Sequence, residues 1–206
     1  MIRTDRLLLR QWTILDRGPF AAMSADPEVM GYFPQLLSRE QSFAMVDGCT
    51  RSIEAEGYGL WALEVRETGR FIGFTGLAPA DLDTLIGPAV EISWRLVRDS
   101  WGFGYASEAA RACLKFAFNS LGLPEVVSVT ATVNKRSRRV MERIGMIHNS
   151  AEDFDHPRVA PGHRLERHVL YRIDRERWRR TAWMASQLAM DEFTLPHSGP
   201  LPWPAR

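Results

Sequence analysis

The fold is decided by a short connection, Arg98-Asp99-Ser100-Trp101-Gly102-Phe103-Gly104-Tyr105-Ala106-Ser107-Glu108. A strand-like run at residues 90–97 precedes it, and a helix-like run at residues 105–121 follows it. Gly102 and Gly104 let the backbone adopt positive φ and keep side chains away from a ligand. The amides of the loop and of the first helical turn then point outward together, with the positive end of the helix dipole behind them. Such an arrangement binds phosphate, although a tight turn explains the two glycines equally well.

Two common phosphate-binding motifs do not fit the residues around this connection. The dinucleotide-binding fingerprint needs a third glycine, and Ser107 occupies that position. The ATP-binding loop needs a Gly-Lys-Ser/Thr sequence, which the connection lacks. The function of the loop therefore has to be inferred from its context in the chain.

A second junction between a strand and a helix lies further along the chain. Residues 126–133 are rich in β-branched side chains and predict a strand. The run Asn134-Lys135-Arg136-Ser137 follows, and then a short helix-compatible segment that ends at Gly145-Met146. Ser137 is suited to cap this helix, and Gly145 is suited to supply a left-handed residue at its end.

Together the two junctions resemble two motifs of the GNAT superfamily of acetyl-CoA-dependent N-acetyltransferases. The first motif, Gln/Arg-x-x-Gly-x-Gly/Ala, matches residues 101–106 apart from Trp101, which departs from Gln/Arg. Residues 101–109 are nearly identical to Trp-Gly-x-Gly-Tyr-Ala-x-Glu-Ala, typical of the RimJ/RimL-like branch, which resembles ribosomal-protein N-terminal acetyltransferases. The second motif is Asn-x-x-Ser followed by a helix that ends in Gly-Phe or Gly-Met. The resemblance covers most of residues 2–178. It implies an α/β fold with a mixed, mostly antiparallel central sheet, splayed strands and flanking helices.

The same resemblance implies that acetyl-CoA is the cosubstrate. By this resemblance, the loop is expected to hold the pyrophosphate, and the splayed end of the strand before it is expected to pair with the pantetheine arm. A backbone amide around Leu96 or Val97 is expected to stabilise the oxyanion, which can lower the barrier by roughly 3 kcal/mol. Asn134 is expected to hydrogen-bond the pantetheine arm or a nearby backbone group. The expected binding residues are Leu96, Val97, Trp101, Gly102, Phe103, Gly104, Tyr105, Ala106 and Asn134.

Acetyl transfer to an amine also needs a base for the ammonium and an acid for the departing thiolate. Glu91 interrupts a largely apolar strand and matches the glutamate that serves as base in many GNAT enzymes. A structural carboxylate paired with an arginine is the alternative for Glu91. Ser137 matches a serine thought to protonate the thiolate in relatives, and this role is compatible with helix capping. Because no cysteine is placed to form a covalent acyl intermediate, we expect direct attack in a ternary complex.

Three other clusters have both a structural and a functional interpretation. The basic run at residues 135–139 is a solvated face or a contact for the adenosine phosphate of CoA. The acidic cluster at residues 152–155 is interpreted as a solvated turn, with attraction of a cationic amine as the alternative. The aromatic loop at residues 30–34 is interpreted as core packing, with a position beside the acceptor as the alternative. The five histidines show no metal-ligand spacing, so no metal is expected.

The composition is that of an ordinary globular protein. The 206 residues include 45% hydrophobic and 25% charged side chains, enough for one domain with a sizeable core. The net charge of +1 predicts no affinity for nucleic acid or membrane from the overall field. Cys49 and Cys113 lie far apart, which favours two buried, reduced cysteines over a disulfide. The N-terminus has no signal-peptide core, and we expect a cytoplasmic protein.

Further elements follow from capping and periodicity. Ser38 and Gln41 form a capping box that begins a helix, and Gly57 ends that helix. Alternation along residues 60–67 predicts one strand of a hairpin with a single buried face. We expect an acetyltransferase domain at residues 1–178, followed at residues 179–206 by the rest of a C-terminal helix and a Pro-rich tail.

Several questions about function stay open at this stage. The acceptor is a small-molecule amine or a protein N-terminus, and nothing in the sequence separates the two. A homodimer is common in such folds but has little support in the sequence itself. Two alternatives to an enzyme are a catalytically silent sensor that binds acyl-CoA and a partner-binding protein that uses the Trp-rich C-terminal helix.

Overall fold

The structure, a computed structural model, describes residues 1–80, 86–181 and 183. The strands are β1 (Ile2–Arg3), β2 (Leu7–Arg10), β3 (Leu60–Val65), β4 (Arg70–Pro79), β5 (Val90–Leu96), β6 (Glu125–Ala131), β7 (Ile147–His148), β8 (Phe154–Asp155) and β9 (Arg167–Asp174). The helices are α1 (Arg17–Ala25), α2 (Arg39–Glu56), α3 (Tyr105–Asn119) and α4 (Lys135–Arg143). Residues 175–181 and 183 are also helical.

The strands form one sheet in the order β1-β2-β3-β4-β5-β6-β9-β7, and β8 also pairs with β9. Each neighbouring pair is antiparallel except β5 and β6, which are parallel. The predicted mixed, mostly antiparallel sheet is therefore confirmed. The parallel pair is connected through α3, which brings both predicted strand-to-helix junctions to the middle of the sheet.

Both faces of the central sheet are covered, which corrects the prediction of a single buried face for β3. Trp61 and Leu63 belong to a core cluster that includes residues of α3. Ala62, between them, is fully buried in a second cluster with Phe20 of α1 and Val46 of α2. The alternation along β3 separates two buried faces, and its small residue, Ala62, lies under the second helix layer.

The ends of α2 form as the sequence predicts. Ser38 Oγ accepts a hydrogen bond from the Gln41 amide, and the Gln41 side chain accepts one from the Ser38 amide. Gly57 ends the helix in the left-handed region, at φ 74°. Because α2 packs against β3 and β4 through Val46 and Cys49, these caps fix the helix layer on that side of the sheet.

The described part of the C-terminal helix packs back onto α3, with the rings of Trp178 and Phe118 5.2 Å apart. The Pro-rich tail and most of the predicted helix beyond residue 181 lie outside the described residues, so the proposed boundary at residue 178 stays a prediction. Cys49 and Cys113 are both free and buried. Within the described ranges, no helix is long and apolar enough to span a bilayer.

Candidate active site

The sheet opens between its two parallel strands. Within the described residues β5 and β6 pair in register only at Glu91 and Val127, and Ser128 Oγ donates to the Ile92 carbonyl at 2.9 Å. Beyond this point the strands diverge. The opening leads into a cavity of about 490 Å³ that is lined by β5, β6, α4, the start of α3 and the aromatic loop.

The connection at residues 98–108, hereafter the glycine loop, forms one wall of this cavity. Gly102 and Gly104 have φ of 85° and 80°, the left-handed values that the sequence predicts. Gly104 is the N-cap of α3, and no side chain caps the helix. The first intrahelical bond of this turn runs from the Glu108 amide to the Gly104 carbonyl, at 3.0 Å. The amides of residues 105–107 therefore have no intrahelical partners, and they begin at the cavity.

The glycine loop is held by Arg6, a residue that the sequence analysis did not single out. Its Nη1 donates to the Phe103 carbonyl at 3.0 Å, and its Nε donates to Glu108 Oε2 at 2.6 Å. The guanidinium also lies 4.8 Å from the centroid of the Tyr105 ring. Burial raises the pKa of Glu108, but hydrogen bonds from Thr4 and Arg6 outweigh it, so the pKa lies below its usual value. Because Arg6 lies about 100 positions before the glycine loop in the sequence, no local sequence pattern predicts these contacts.

Trp101 connects the loop to the end of β5. Its indole Nε1 donates to the Leu96 carbonyl at 2.9 Å, and its ring packs against both core clusters. Arg136 stacks on the outer side of the ring, with the guanidinium carbon 4.3 Å from its centroid. Because the indole N–H is already bonded, Trp101 fixes the loop and offers a ligand only its ring.

The two candidate oxyanion donors on β5 differ in availability. The Val97 amide donates to the Ile72 carbonyl at 3.0 Å, so it points toward β4 and is engaged. Backbone groups alternate along a strand, and the Leu96 amide therefore points toward the opening beside β6. The pairing of Gly73 with Leu96 continues the β4–β5 register up to this point. Of the two amides, the geometry favours Leu96 as a donor and corrects the expectation for Val97.

The start of α4 differs from the sequence prediction in one detail. Asn134, rather than Ser137, is the N-cap, because its Oδ1 accepts from the Ser137 amide at 3.2 Å. Its Nδ2 donates to Thr130 Oγ1 at 2.9 Å, which joins α4 to β6. Ser137 is the third residue of α4 and lines the cavity, and the cap uses its amide rather than its hydroxyl. Gly145 ends the segment at φ 90°, as predicted.

Side chains alternate along β5 between two environments. Ile92 and Leu96 are buried in the cluster that packs against α3. Glu91, Ser93 and Arg95 project from the opposite side and line the cavity; we call this set the polar face of β5. Glu91 is half-buried and lies where the strands begin to diverge. The cavity thus places a carboxylate on the same wall as the β5 opening.

The aromatic loop borders the cavity, which is the alternative that the sequence analysis placed second. Tyr32 and Phe33 line it, and 40% of the Phe33 surface is exposed. Arg164 donates from its Nη2 to the Gly31 carbonyl and so holds the loop from the far side of the chain. The exposure of Phe33 beside a cavity favours contact with a ligand over simple core packing.

The acidic and basic clusters have separate outcomes. Glu152 and Asp155 form ion pairs with Arg172 and Arg167 at 2.8 and 3.2 Å, and Asp153 is hydrogen-bonded to His148 at 2.6 Å, so other residues of the chain engage the acidic cluster. From the basic run, Arg136 and Arg139 line the cavity near the glycine loop. Over the residues that can be described, no group of three metal-binding side chains occurs.

Comparison with known proteins gives the family. Residues 6–147 match the acetyltransferase (GNAT) domain family. Bacillus subtilis YkkB is 36% identical over 144 residues, which cover 69% of this chain and 83% of YkkB. The Aspergillus fumigatus FsC-acetyl coenzyme A-N(2)-transacetylase is 33% identical over 170 residues, with coverages of 77% and 69%. The crystal structure of an acetyltransferase from Agrobacterium tumefaciens superposes with a TM-score of 0.68 at 26% identity, covering 84% of this chain and 94% of that one.

These matches agree with the geometry of the site. An extended thioester that carries a diphosphate fits this site. The uncapped amides at the start of α3 suit the diphosphate, and the cavity at the opening between β5 and β6 has room for the thioester arm. The matched region contains β5, the glycine loop, α3 and α4. The chain belongs to the GNAT family of acetyltransferases, enzymes that use acetyl-CoA as cosubstrate.

Proposed function

We propose that the protein transfers acetyl from acetyl-CoA to a primary amine by direct attack in a ternary complex. One observation supports this most strongly: the uncapped N-terminus of α3 and Glu91 line the same cavity, on either side of the β5 opening. The diphosphate and the acceptor nitrogen then have separate places in one cleft. The A. fumigatus relative, named as an N(2)-transacetylase that uses acetyl coenzyme A, supports nitrogen as the acceptor atom.

The proposed binding of acetyl-CoA uses the backbone more than the side chains. The amides at residues 102–106 hold the diphosphate, with the Trp101 ring beside it. The Phe103 side chain is 60% exposed and does not line the cavity, so only its backbone is proposed to take part. The groups of β5 that face the opening pair with the pantetheine arm as another strand does. Asn134 has one remaining amide hydrogen for that arm, because Thr130 and Ser137 engage its other polar groups.

The proposed reaction conserves atoms and charge. Glu91 accepts a proton from the acceptor ammonium, directly or through water, and the freed nitrogen attacks the thioester carbon. The Leu96 amide donates to the oxyanion that forms. The nitrogen, which carries a surplus proton after its attack, gives that proton to the solvent as the carbon–sulfur bond breaks, and Glu91 releases its own proton to the solvent. Ser137 gives a proton to the thiolate and regains one from the solvent, so one proton is released overall. The products are an N-acetyl compound and free CoA.

Three finer assignments belong to the same proposal. The run from Trp101 to Ala109 supports a place in the RimJ/RimL-like branch, and residues 1–178 are proposed as the catalytic domain. We also propose a cytoplasmic location, because the N-terminal residues lack the pattern of a signal-peptide core. Dimerisation stays a prediction, to be checked by the mass of the protein in solution.

A thermal melt and a thiol-release assay test the proposal together. CoA at one hundred times its Kd is expected to raise the free energy of unfolding by about 2.7 kcal/mol. Acetyl-CoA with a panel of primary amines and peptide N-termini is expected to release free thiol and give an acetylated product. A melt shifted by CoA without acetylation of any amine would indicate the silent sensor. No shift at all would indicate the partner-binding protein.

A further inference from the structure

A buried arginine, Arg95, faces the cavity at the C-terminal end of the polar face of β5. It is only 9% exposed. Its Nε and Nη1 are buried and have no hydrogen-bond partner among the described residues. The guanidinium carbon lies 4.1 Å from the centroid of the Phe33 ring and 5.4 Å from that of Phe74. Aromatic rings therefore hold the cation in place but leave its N–H donors open.

The charge on Arg95 persists in this environment. Burial lowers the pKa of Arg95 to about 10, so the guanidinium is still protonated at neutral pH. The Cys49 thiol beside it supplies no negative charge, because burial raises its pKa to about 11. Glu28, at the cavity rim, pairs with Arg98 at 2.8 Å. Across the described ranges, no carboxylate forms an ion pair with Arg95, and a cation buried in this way is unfavourable until an anion reaches it.

The position of Arg95 relates it to the acceptor rather than to acetyl-CoA. Its guanidinium lies beside Phe74 and the Cys49 thiol, which belong to the cluster that contains residues of α1 and α2, whereas the proposed diphosphate amides begin α3. It lies four residues from Glu91 on the same face, a separation of roughly 13 Å along the strand. The aromatic loop, which contributes Phe33, covers the space between the cavity and solvent at this point.

We propose that the acceptor is a primary amine that also carries a carboxylate, which pairs with the Arg95 guanidinium. This inference rests on the proposed function and narrows its substrate class. A guanidinium presents parallel N–H donors that match the two oxygens of a carboxylate. The acceptor amine lies toward Glu91, and the carboxylate is anchored toward Arg95 beneath Phe33.

Matched acceptors test this in the 206-residue chain. The panel contains glycine, 4-aminobutyrate, 6-aminohexanoate and L-phenylalanine, each beside its primary amide, with acetyl-CoA at saturation. The best carboxylate is expected to exceed its amide in kcat/KM by about 10- to 100-fold, the range for a charge-assisted hydrogen bond. The length series also reports the spacing between amine and carboxylate. Acetylation of amides or peptide amides as fast as the acids would overturn the inference while leaving N-acetyl transfer intact.

Substitution of the arginine separates this role from a structural one. Arg95→Met is expected to lower kcat/KM for the carboxylates to the level of the amides, with the KM for acetyl-CoA unchanged. Arg51→Met, on the exposed surface of α2, is the matched control and is expected to keep the preference. A loss that is equal for acids and amides would show that Arg95 acts only on the structure.

A binding measurement keeps the inference testable if no acceptor of the panel is acetylated. In the presence of CoA, 6-aminohexanoate is expected to raise the Tm of the wild type and not that of Arg95→Met. Such a shift without acetylation would retain the carboxylate site, and the wider panel of amines and peptide N-termini would then decide the proposed reaction. The absence of a shift for every acid in the panel, while CoA itself still raises the Tm, would overturn the carboxylate site.

Discussion

The glycine loop and the polar face of β5 form opposite sides of one cavity, and they are built in different ways. The glycine loop is one continuous segment, and its backbone amides are its functional groups. The polar face supplies side chains, and its surroundings come from α2, β4 and the aromatic loop. The first solution suits a ligand that never changes, such as the diphosphate. The second can change with the acceptor without disturbing the fold.

If this contrast is correct, the two regions control different kinetic constants. Changes in the glycine loop affect the KM for acetyl-CoA, because the loop contacts neither the acceptor nor the reacting atoms. Changes on the polar face affect turnover or acceptor choice, and leave the affinity for CoA intact. Three substitutions examine this division, from the largest expected effect to the smallest.

Glu91→Gln is expected to lower kcat roughly 10²- to 10⁴-fold, because the variant has no base at the opening of β5. The dissociation constant for CoA, measured by calorimetry, is expected to stay within about 2-fold of the wild-type value. Glu54→Gln, on the exposed surface of α2, is the matched control. Unchanged turnover in Glu91→Gln would remove this residue from the mechanism and leave the structural carboxylate as its interpretation.

The same contrast explains how much the sequence could predict. The two Gly positions of the loop, the strand with Glu91 and the α2 caps follow from local rules of turns, periodicity and capping. The bracing of the loop by Arg6 and the position of Arg95 between Phe33 and Phe74 depend on contacts between distant segments. Local sequence patterns do not report contacts between distant segments, so the roles of Arg6 and Arg95 were not predicted.

Two errors share one cause, because tertiary packing decided what the local patterns left open. Ser137 and Asn134 are both good N-cap residues, and which one caps α4 depends on where the chain leaves β6. The exposed alternate face of β3 was predicted from Glu64 and Arg66. The small Ala62, which precedes them on the same face, is instead buried with residues of α1 and α2. In both cases the residue type was compatible with the observed structure, and only the tertiary arrangement decided the outcome.

Gly104→Val tests the glycine loop itself. A β-branched residue at φ 80° is strained by about 1–2 kcal/mol, and the loop relaxes away from the cavity. The KM for acetyl-CoA is expected to rise about 5- to 30-fold, with little change in kcat at saturation. Gly57→Val is the control, since Gly57 has φ 74° at the end of α2, far from the loop. It is expected to lower Tm by a similar amount without changing the KM, and equal KM effects in both variants would contradict the role of the loop.

Arg6→Met is expected to have the smallest effect on the KM for acetyl-CoA. It also distinguishes whether Arg6 holds the glycine loop or binds the ligand itself. Arg6 is half-exposed, so its pair with Glu108 contributes no more than about 1 kcal/mol, and the KM for acetyl-CoA is expected to rise no more than about 5-fold. Because an ion pair at the surface is screened by salt, this difference between variant and wild type is expected to shrink when the ionic strength increases. Arg3→Met, which changes an exposed neighbour at the same edge of the sheet, is the control.

If Arg6 contacted the diphosphate itself, the KM for acetyl-CoA would instead rise tenfold or more at low salt, and Glu108→Gln would not reproduce this rise. An equally small rise in the KM for acetyl-CoA in Arg6→Met and Glu108→Gln therefore shows that the Arg6–Glu108 pair only holds the glycine loop. Recognition of the diphosphate then belongs to the backbone of that loop.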